Sequence, residues 1–270
     1  YDKSDTNRPY LLEGITKIEI VDGSDVIYST TGTECAAVQL YHTGKMPFLA
    51  ISANHVAAYN RNQVKILFGR DESDNLYGLD LTKFTNPQLK ITHAYTESAA
   101  HWASGTQTLS VIATVAEGAP LPSHFLMTKE IYTWTKATTG DVTIDLPRDY
   151  PYRFIVMQAT HCATPVYEEF TQTKISCNYD EFVPLDMVTE DIAHDNWNHY
   201  GMLSQQTEVI GESAAQSQVA WYPFAWNWGG DVQSWNTGTA AVVMRPYSGY
   251  ITVDTIEGTG LPDNTRAIVT

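Results

Sequence analysis

Tyr222, Phe224, Trp226 and Trp228 occupy every second position of WYPFAWNWGG, residues 221–230. Successive strand side chains point to opposite faces, so on a strand these four rings would form one row. Pro223, Ala225 and Asn227 would line the other face. A row of rings can stack on sugars. It can also bury against the chain's own core or a neighbouring subunit. Trp and Tyr are enriched at subunit seams because they bury much area and keep a polar handle, which favours burial here.

The other reactive residues match no known catalytic pattern. The chain has no G-x-S-x-G elbow, no G-x-x-x-x-G-K-[ST] loop, no G-x-G-x-x-G and no H-E-x-x-H. His194 and His199 in HDNWNH are five residues apart. On a helix they would point roughly 140° apart and could not share a metal. The eight histidines stand at 42, 55, 93, 101, 124, 161, 194 and 199, so the H-x-H pair of a cupin-type metal site is missing. Asp71, Glu72, Asp74 and Asp80 share one loop with a faint calcium-loop look. A calcium loop of the EF-hand kind needs Gly at position 6 and Glu at 12, where counting from Asp71 gives Leu76 and Thr82. A solvated acidic loop is therefore expected. His161 and Cys162 adjoin, and neighbours on a strand face opposite ways, so Cys162 is expected to be a buried inert thiol. Carboxylates are plentiful, but no spacing singles out a glycosidase pair. No catalytic, cofactor-binding or metal-binding residue is assigned, no cofactor is expected, and the protein is not expected to be an enzyme.

The bulk composition narrows the class. A chain of 270 residues can bury a substantial core without disulfides or metals. It is 43% hydrophobic and 11% aromatic, as in an ordered globular protein, and only 17% charged. The surface must then rely on Thr, Ser, Asn and Gln, which suits strands and loops. The net charge of −15, with no Lys/Arg cluster, argues against coating nucleic acid. Three cysteines, Cys35, Cys162 and Cys177, are too few and too scattered for a disulfide framework, although Cys162 and Cys177 could meet across a hairpin. No apolar run approaches the ~18 residues of a membrane helix. No Asn-x-Ser/Thr acceptor occurs. With no visible signal peptide and no initiator Met, a processed or trimmed chain is expected.

These residues must be held by short strands. GITKIEIVDGSDVIYST, residues 14–30, alternates Ile18 and Ile20 with Lys17 and Glu19, and Asp22-Gly23 predicts a hairpin turn. Glu34, Ala36, Ala37 and Leu40 predict a short helix, with Gly44 and Pro47 placed to stop it. Further strands are predicted at 63–69, 88–95, 106–116, 125–134, 141–147, 150–161, 165–176, 239–246 and 248–255. A second helix is predicted from the N-cap Thr189 to a stop at Gly201. EGAPLPSH, residues 117–124, has two prolines, a glycine and no periodicity, and reads as a linker. Strand, turn, strand, helix occurs at 14–43 and again at 165–200. The expectation is an all-β protein: two tandem eight-stranded jelly-roll β-sandwiches with one short helix each. The first spans 1–118, the linker 119–124 and the second 125–270.

Four stretches carry a resemblance. They are GITKIEIVDGSDVIYST with its helix; KILFGRDESDNLYGLDLTKFTNPQLKITH; MTKEIYTWTK with TIDLPRDYPYRFIVMQA; and YPFAWNWGGDVQSWNTGTAAVVMRP. In this order they resemble the double jelly-roll major capsid proteins of tailless icosahedral viruses, among them bacteriophages and adenovirus-like viruses. The resemblance implies a virion protein assembled in the host cytoplasm. It would form a homotrimer, each subunit giving two jelly rolls, so that the capsomer is a pseudo-hexagon that tiles an icosahedral shell. Its partners would be itself, other capsid proteins such as a penton protein, and an internal membrane or its proteins, with no direct nucleic-acid binding. The long tower insertions of larger relatives are missing. The alternative reading is a β-sandwich carbohydrate-binding protein or lectin. It rests on the density of Trp and Tyr, including Trp102, Trp134, Trp197 and Trp235. A β-sandwich glycan hydrolase has only the acidic residues in its favour.

Overall fold

The Asp22-Gly23 step turns the chain where the sequence predicts. β1 (Ile15–Asp22) pairs antiparallel with β2 (Asp25–Thr30), and Gly23 has φ +62°, which side chains disfavour. The computed structural model describes residues 12, 14–43, 47–50, 61–74, 76–94, 108–135, 139–159, 170–200, 206–210, 217–221, 240–244 and 266–269. It divides into two compact units, Tyr1–Glu130 and Ile131–Thr270.

In the first unit β1 also pairs antiparallel with β5 (Pro87–His93), and β2 pairs in parallel with the two residues of β6 (Thr128–Lys129). The sheet order is β5-β1-β2-β6. The register of β1 shifts near Ile15 against β5 and near Ile20 against β2. Such bulges re-aim the side chains that follow. The buried positions of β1 are therefore Ile15, Ile18 and Val21, whereas simple alternation would pair Ile18 with Ile20. Helix α1 (Gly32–Thr43) follows β2 and packs on β1 and β2. Its Cys35, Ala36, Ala37 and Leu40 are fully buried. A small residue at each of three positions lets the helix lie close to the sheet.

Three segments depart from expectation. Residues 63–69 are not a strand: β4 (Arg61–Gln63) pairs with β3 (Phe48–Ala50) and ends there. Beyond it, the Lys65 N–H donates to Gln39 Oε1 at 2.7 Å, and His42 Nε2 lies 2.6 Å from the Gly69 carbonyl. Helix side chains thus take backbone groups that a ladder would need. Residues 108–116, predicted as strand, make no strand pairing and are exposed throughout. Residues 125–134 pair only at β6. The chain from 122 to 130 nevertheless belongs to the first unit. Leu126 N–H donates to the Phe68 carbonyl at 2.8 Å, and Phe125 sets its ring edge-on to Phe68 and Phe84. The units accordingly divide after Glu130, beyond the linker expected at 119–124.

The second unit is built from β7 (Val142–Asp145), β8 (Ile155–Ala159), β9 (Gln172–Cys177), β10 (Phe182–Val188), β11 (Gln206–Ile210), β12 (Ser217–Trp221), β13 (Ala240–Met244) and β14 (Arg266–Val269). One sheet has the order β10-β9-β14-β7; β8 pairs with β13, and β11 with β12. On β7 the predicted alternation holds: Ile144 is buried between exposed Thr143 and Asp145, and Leu146 follows buried. Ile144, Leu146 and Ala267 form one core cluster, with Ile155 of β8 packed on it. Met157 of β8 and Val269 of β14 form another, joined by Phe170 and Leu185. Side chains of β8 thus pack among those of the four-stranded sheet, which is how a sandwich makes its core. Helix α2 (Thr189–Tyr200) keeps the predicted span. The hydroxyl of Thr189, expected as an N-cap, pairs with Thr173 Oγ1 at 3.0 Å in the buried interior, and the Thr189 N–H donates to the Thr171 carbonyl.

The protein is all-β, with fourteen strands and one α-helix in each unit among the described residues. That is the all-β class, with one short helix in each half, that the sequence predicts. The strand predicted at 248–255 lies outside the described residues.

Candidate functional site

The acidic loop gathers Asp71, Glu72, Asp74 and Asp80, and their carboxylates are already in use. Asp74 Oδ2 accepts from Arg70 Nε at 2.7 Å and from the Arg70 N–H at 2.9 Å, while Oδ1 accepts from Arg70 Nη2 and the Leu76 N–H. The Arg70 guanidinium, aided by these backbone donors, holds the Asp74 carboxyl far below the usual range. Asp71 Oδ1 accepts from the Ser73 N–H and hydroxyl. Asp80 Oδ1 accepts from the N–H and hydroxyl of Thr82 and caps a single 3-10 turn, which lowers its pKa. Glu72 pairs with Lys65. Gly69 is needed where this loop closes, since a Cβ there would lie 2.5 Å from the Tyr77 carbonyl oxygen. The loop is therefore braced by its own acids. Among the described residues no three His, Cys, Asp or Glu side chains are grouped to hold a metal ion.

The described cysteines are inert by position. Cys35 and Cys177 are fully buried. Burial pushes the Cys35 thiol up to about 11, and the neighbouring Tyr28 phenol well above its ordinary value. A thiol so placed stays protonated near neutral pH and is a poor nucleophile. The hairpin pairing considered for Cys162 and Cys177 depends on Cys162, which is not among the described residues. Cys162 and His161 lie outside the described residues. So do Trp102, Trp235 and the ring row 222–228. His194, His199 and Trp197 fall on α2, and only their backbone is described.

Trp134 is the one predicted sugar-stacking candidate whose side chain is described. It is half-buried, packs on the Ile144–Leu146–Ala267 cluster, and lies 5.9 Å from Phe170 and 5.7 Å from Tyr132 between ring centroids. Its ring therefore packs on the second unit's core side chains.

Sequence reasoning missed two features. One is the reciprocal cap of α1: the Thr31 N–H donates to Glu34 Oε2 at 2.7 Å, and the Glu34 N–H to Thr31 Oγ1 at 3.2 Å. The spacing Thr-x-x-Glu was its signal. The other is an exposed apolar stretch formed by Leu109, Val111, Ile112 and Val115, with Leu121 beyond it. Its apolar composition was visible, but its exposure was not.

No protein-family model matches the chain, and no curated protein matches it. Among solved structures it is similar to the crystal structure of the STIV MCP, a major capsid protein. The identity is 9% and the TM-score 0.43, over 97% of this chain and 78% of that one.

Proposed function

We propose that this protein is a major capsid protein, a structural subunit that trimerises into pseudo-hexagonal capsomers and tiles an icosahedral shell. The observation that carries the reading is a module built twice. β1, a turn, β2 and α1 run from Ile15 to Thr43, and β9, a turn, β10 and α2 run from Gln172 to Tyr200. In each, an antiparallel hairpin feeds straight into a twelve-residue helix. The two copies fall in different compact units. A chain with two such units supplies two similar wedges, and three chains in closed cyclic symmetry supply six. The four capsid-like stretches of the sequence support the same reading. So does the location of apolar side chains on the outside of the first unit, where a surface partner can cover them. Assembly then needs interface area and shape fit, and no bond is made or broken. The proposed place of the protein is the virion, with penton proteins and an internal membrane as further neighbours.

The test is the solution mass by light scattering on a sizing column. Three chains of 30.1 kDa give about 90 kDa. A stable species of that mass, followed by pseudo-hexagonal particles in electron microscopy, is the expected result. A monomer at every concentration, particularly one that binds glycans tightly, overturns the capsid reading.

A further inference from the structure

Residues 108–116, TLSVIATVA, contain no charge, no proline and no glycine. They are rich in β-branched residues, and this composition favours pairing as a strand. In the structure they pair with nothing as a strand, and every one of the nine is exposed. Ile112 is 86% exposed and Val115 73%. With Leu109, Val111 and Leu121 they present on the order of 600 Å² of apolar surface, at the top of the range for a monomer's largest patch and close to one partner's share of a stable interface. A solvent-facing acid or lysine would blunt such a stretch, and none is present within it.

The same unit carries an acceptor. β5 ends the sheet β5-β1-β2-β6 among the described residues. Gln88, Leu89, Lys90, Thr92 and His93 of β5 are exposed, so neither face of the strand is covered along most of its length. An edge strand offers a row of backbone N–H and C=O groups to an incoming chain.

We infer that residues 108–116 of one copy add as a strand to the β5 edge of a second copy. Donor and acceptor differ and lie on the same chain, so the contact is heterologous and can close into a ring of copies. As a strand, the stretch would set Leu109, Val111, Ala113 and Val115 on one face. The inference rests on the self-assembly proposed above and names its contact.

Hydrogen exchange read by mass spectrometry on the whole chain tests it, beside light scattering. Peptides covering 87–93 and 108–116 are expected to exchange at least about tenfold more slowly in the assembled species than in dilute monomer. The double variant Val111→Lys/Val115→Lys is expected to stay monomeric and to melt at the same temperature as dilute wild type, because both side chains are exposed in the single chain. If wild type assembles while these peptides stay unprotected, or if the variant assembles equally well, the strand contact is wrong and the capsid reading stands. Equal protection of 108–116 in dilute monomer means that its own chain covers it, and also overturns the contact. If wild type never assembles, both fail.

Discussion

Substitution of Glu34 separates two effects that the structure places on one carboxylate. Its Oε2 accepts the Thr31 N–H at 2.7 Å and so completes the cap of α1. Glu34→Ala leaves that donor without its partner, and the loss of a cap of this kind costs about 1 kcal/mol. Glu34→Gln keeps an oxygen acceptor in place and removes the ionisable group. Burial raises the Glu34 pKa above its ordinary 4.5, the Thr31 hydrogen bonds oppose the rise, and Glu130 adds to it. The folded state therefore holds this proton more tightly than the unfolded chain does. Ionisation costs stability: the penalty is absent below the unfolded value, sets in as pH rises through it, and is complete above the folded value. At neutral pH Glu34→Gln should be at least as stable as wild type, and Glu34→Ala less stable by about 1 kcal/mol. Below pH 4.5 the advantage of Gln over Glu should vanish. Urea unfolding followed by far-ultraviolet circular dichroism at the two pH values reads this directly. Glu34→Gln as unstable as Glu34→Ala at neutral pH would refute the assignment of the cap to the carboxylate oxygen. A Gln advantage that grows toward acid would refute the sign of the shift.

Other substitutions probe the remaining fold. Gly69→Ala drives a Cβ to 2.5 Å from the Tyr77 carbonyl oxygen and should lower stability by about 1–3 kcal/mol in thermal or urea unfolding. The β9–β10 turn holds Asn178, Tyr179 and Asp180 at φ 51°, 57° and 66°, and Tyr179 is 76% exposed. Tyr179→Gly relieves that strain without emptying a core site and should stabilise by about 1 kcal/mol, to be read as a raised urea midpoint. Cys35 should resist a thiol reagent in the native protein and react on unfolding; mass spectrometry of labelled peptides that finds it modified at once would contradict its burial.

The sequence showed its local rules more clearly than its pairings. Asp-Gly at 22–23, the alternation of Ile144 with Thr143 and Asp145, and the span of α2 were all readable, because each depends on a few neighbouring residues. The fate of 63–69 was not. Its strand-like composition is overruled by Gln39 and His42, which reach it from a helix more than twenty residues away. Bulges in β1 moved the buried set from Ile20 to Val21, and no composition rule marks a bulge in a run such as ITKIEIVD. For the candidate site, the spacing around Asp71 showed only a departure from the calcium-loop pattern. The reason the loop holds together, with Asp74 gathering donors from Arg70, Leu76 and Tyr77, is a matter of three-dimensional closure. The apolar pattern of 108–116 was legible as strand-forming, whereas its exposure depends on what the rest of the unit leaves uncovered.

The two hairpin–helix modules share a plan but not a surface. α1 carries Cys35, Ala36 and Ala37 into the interior, while α2 opens with Glu190 and Asp191 exposed to solvent. Because both sit on one polypeptide, the cell makes them in a fixed ratio of one to one, without having to match the expression of two genes. Either module can then accumulate substitutions independently of the other. Two kinds of surface are thereby always present in equal number, never in excess or in short supply.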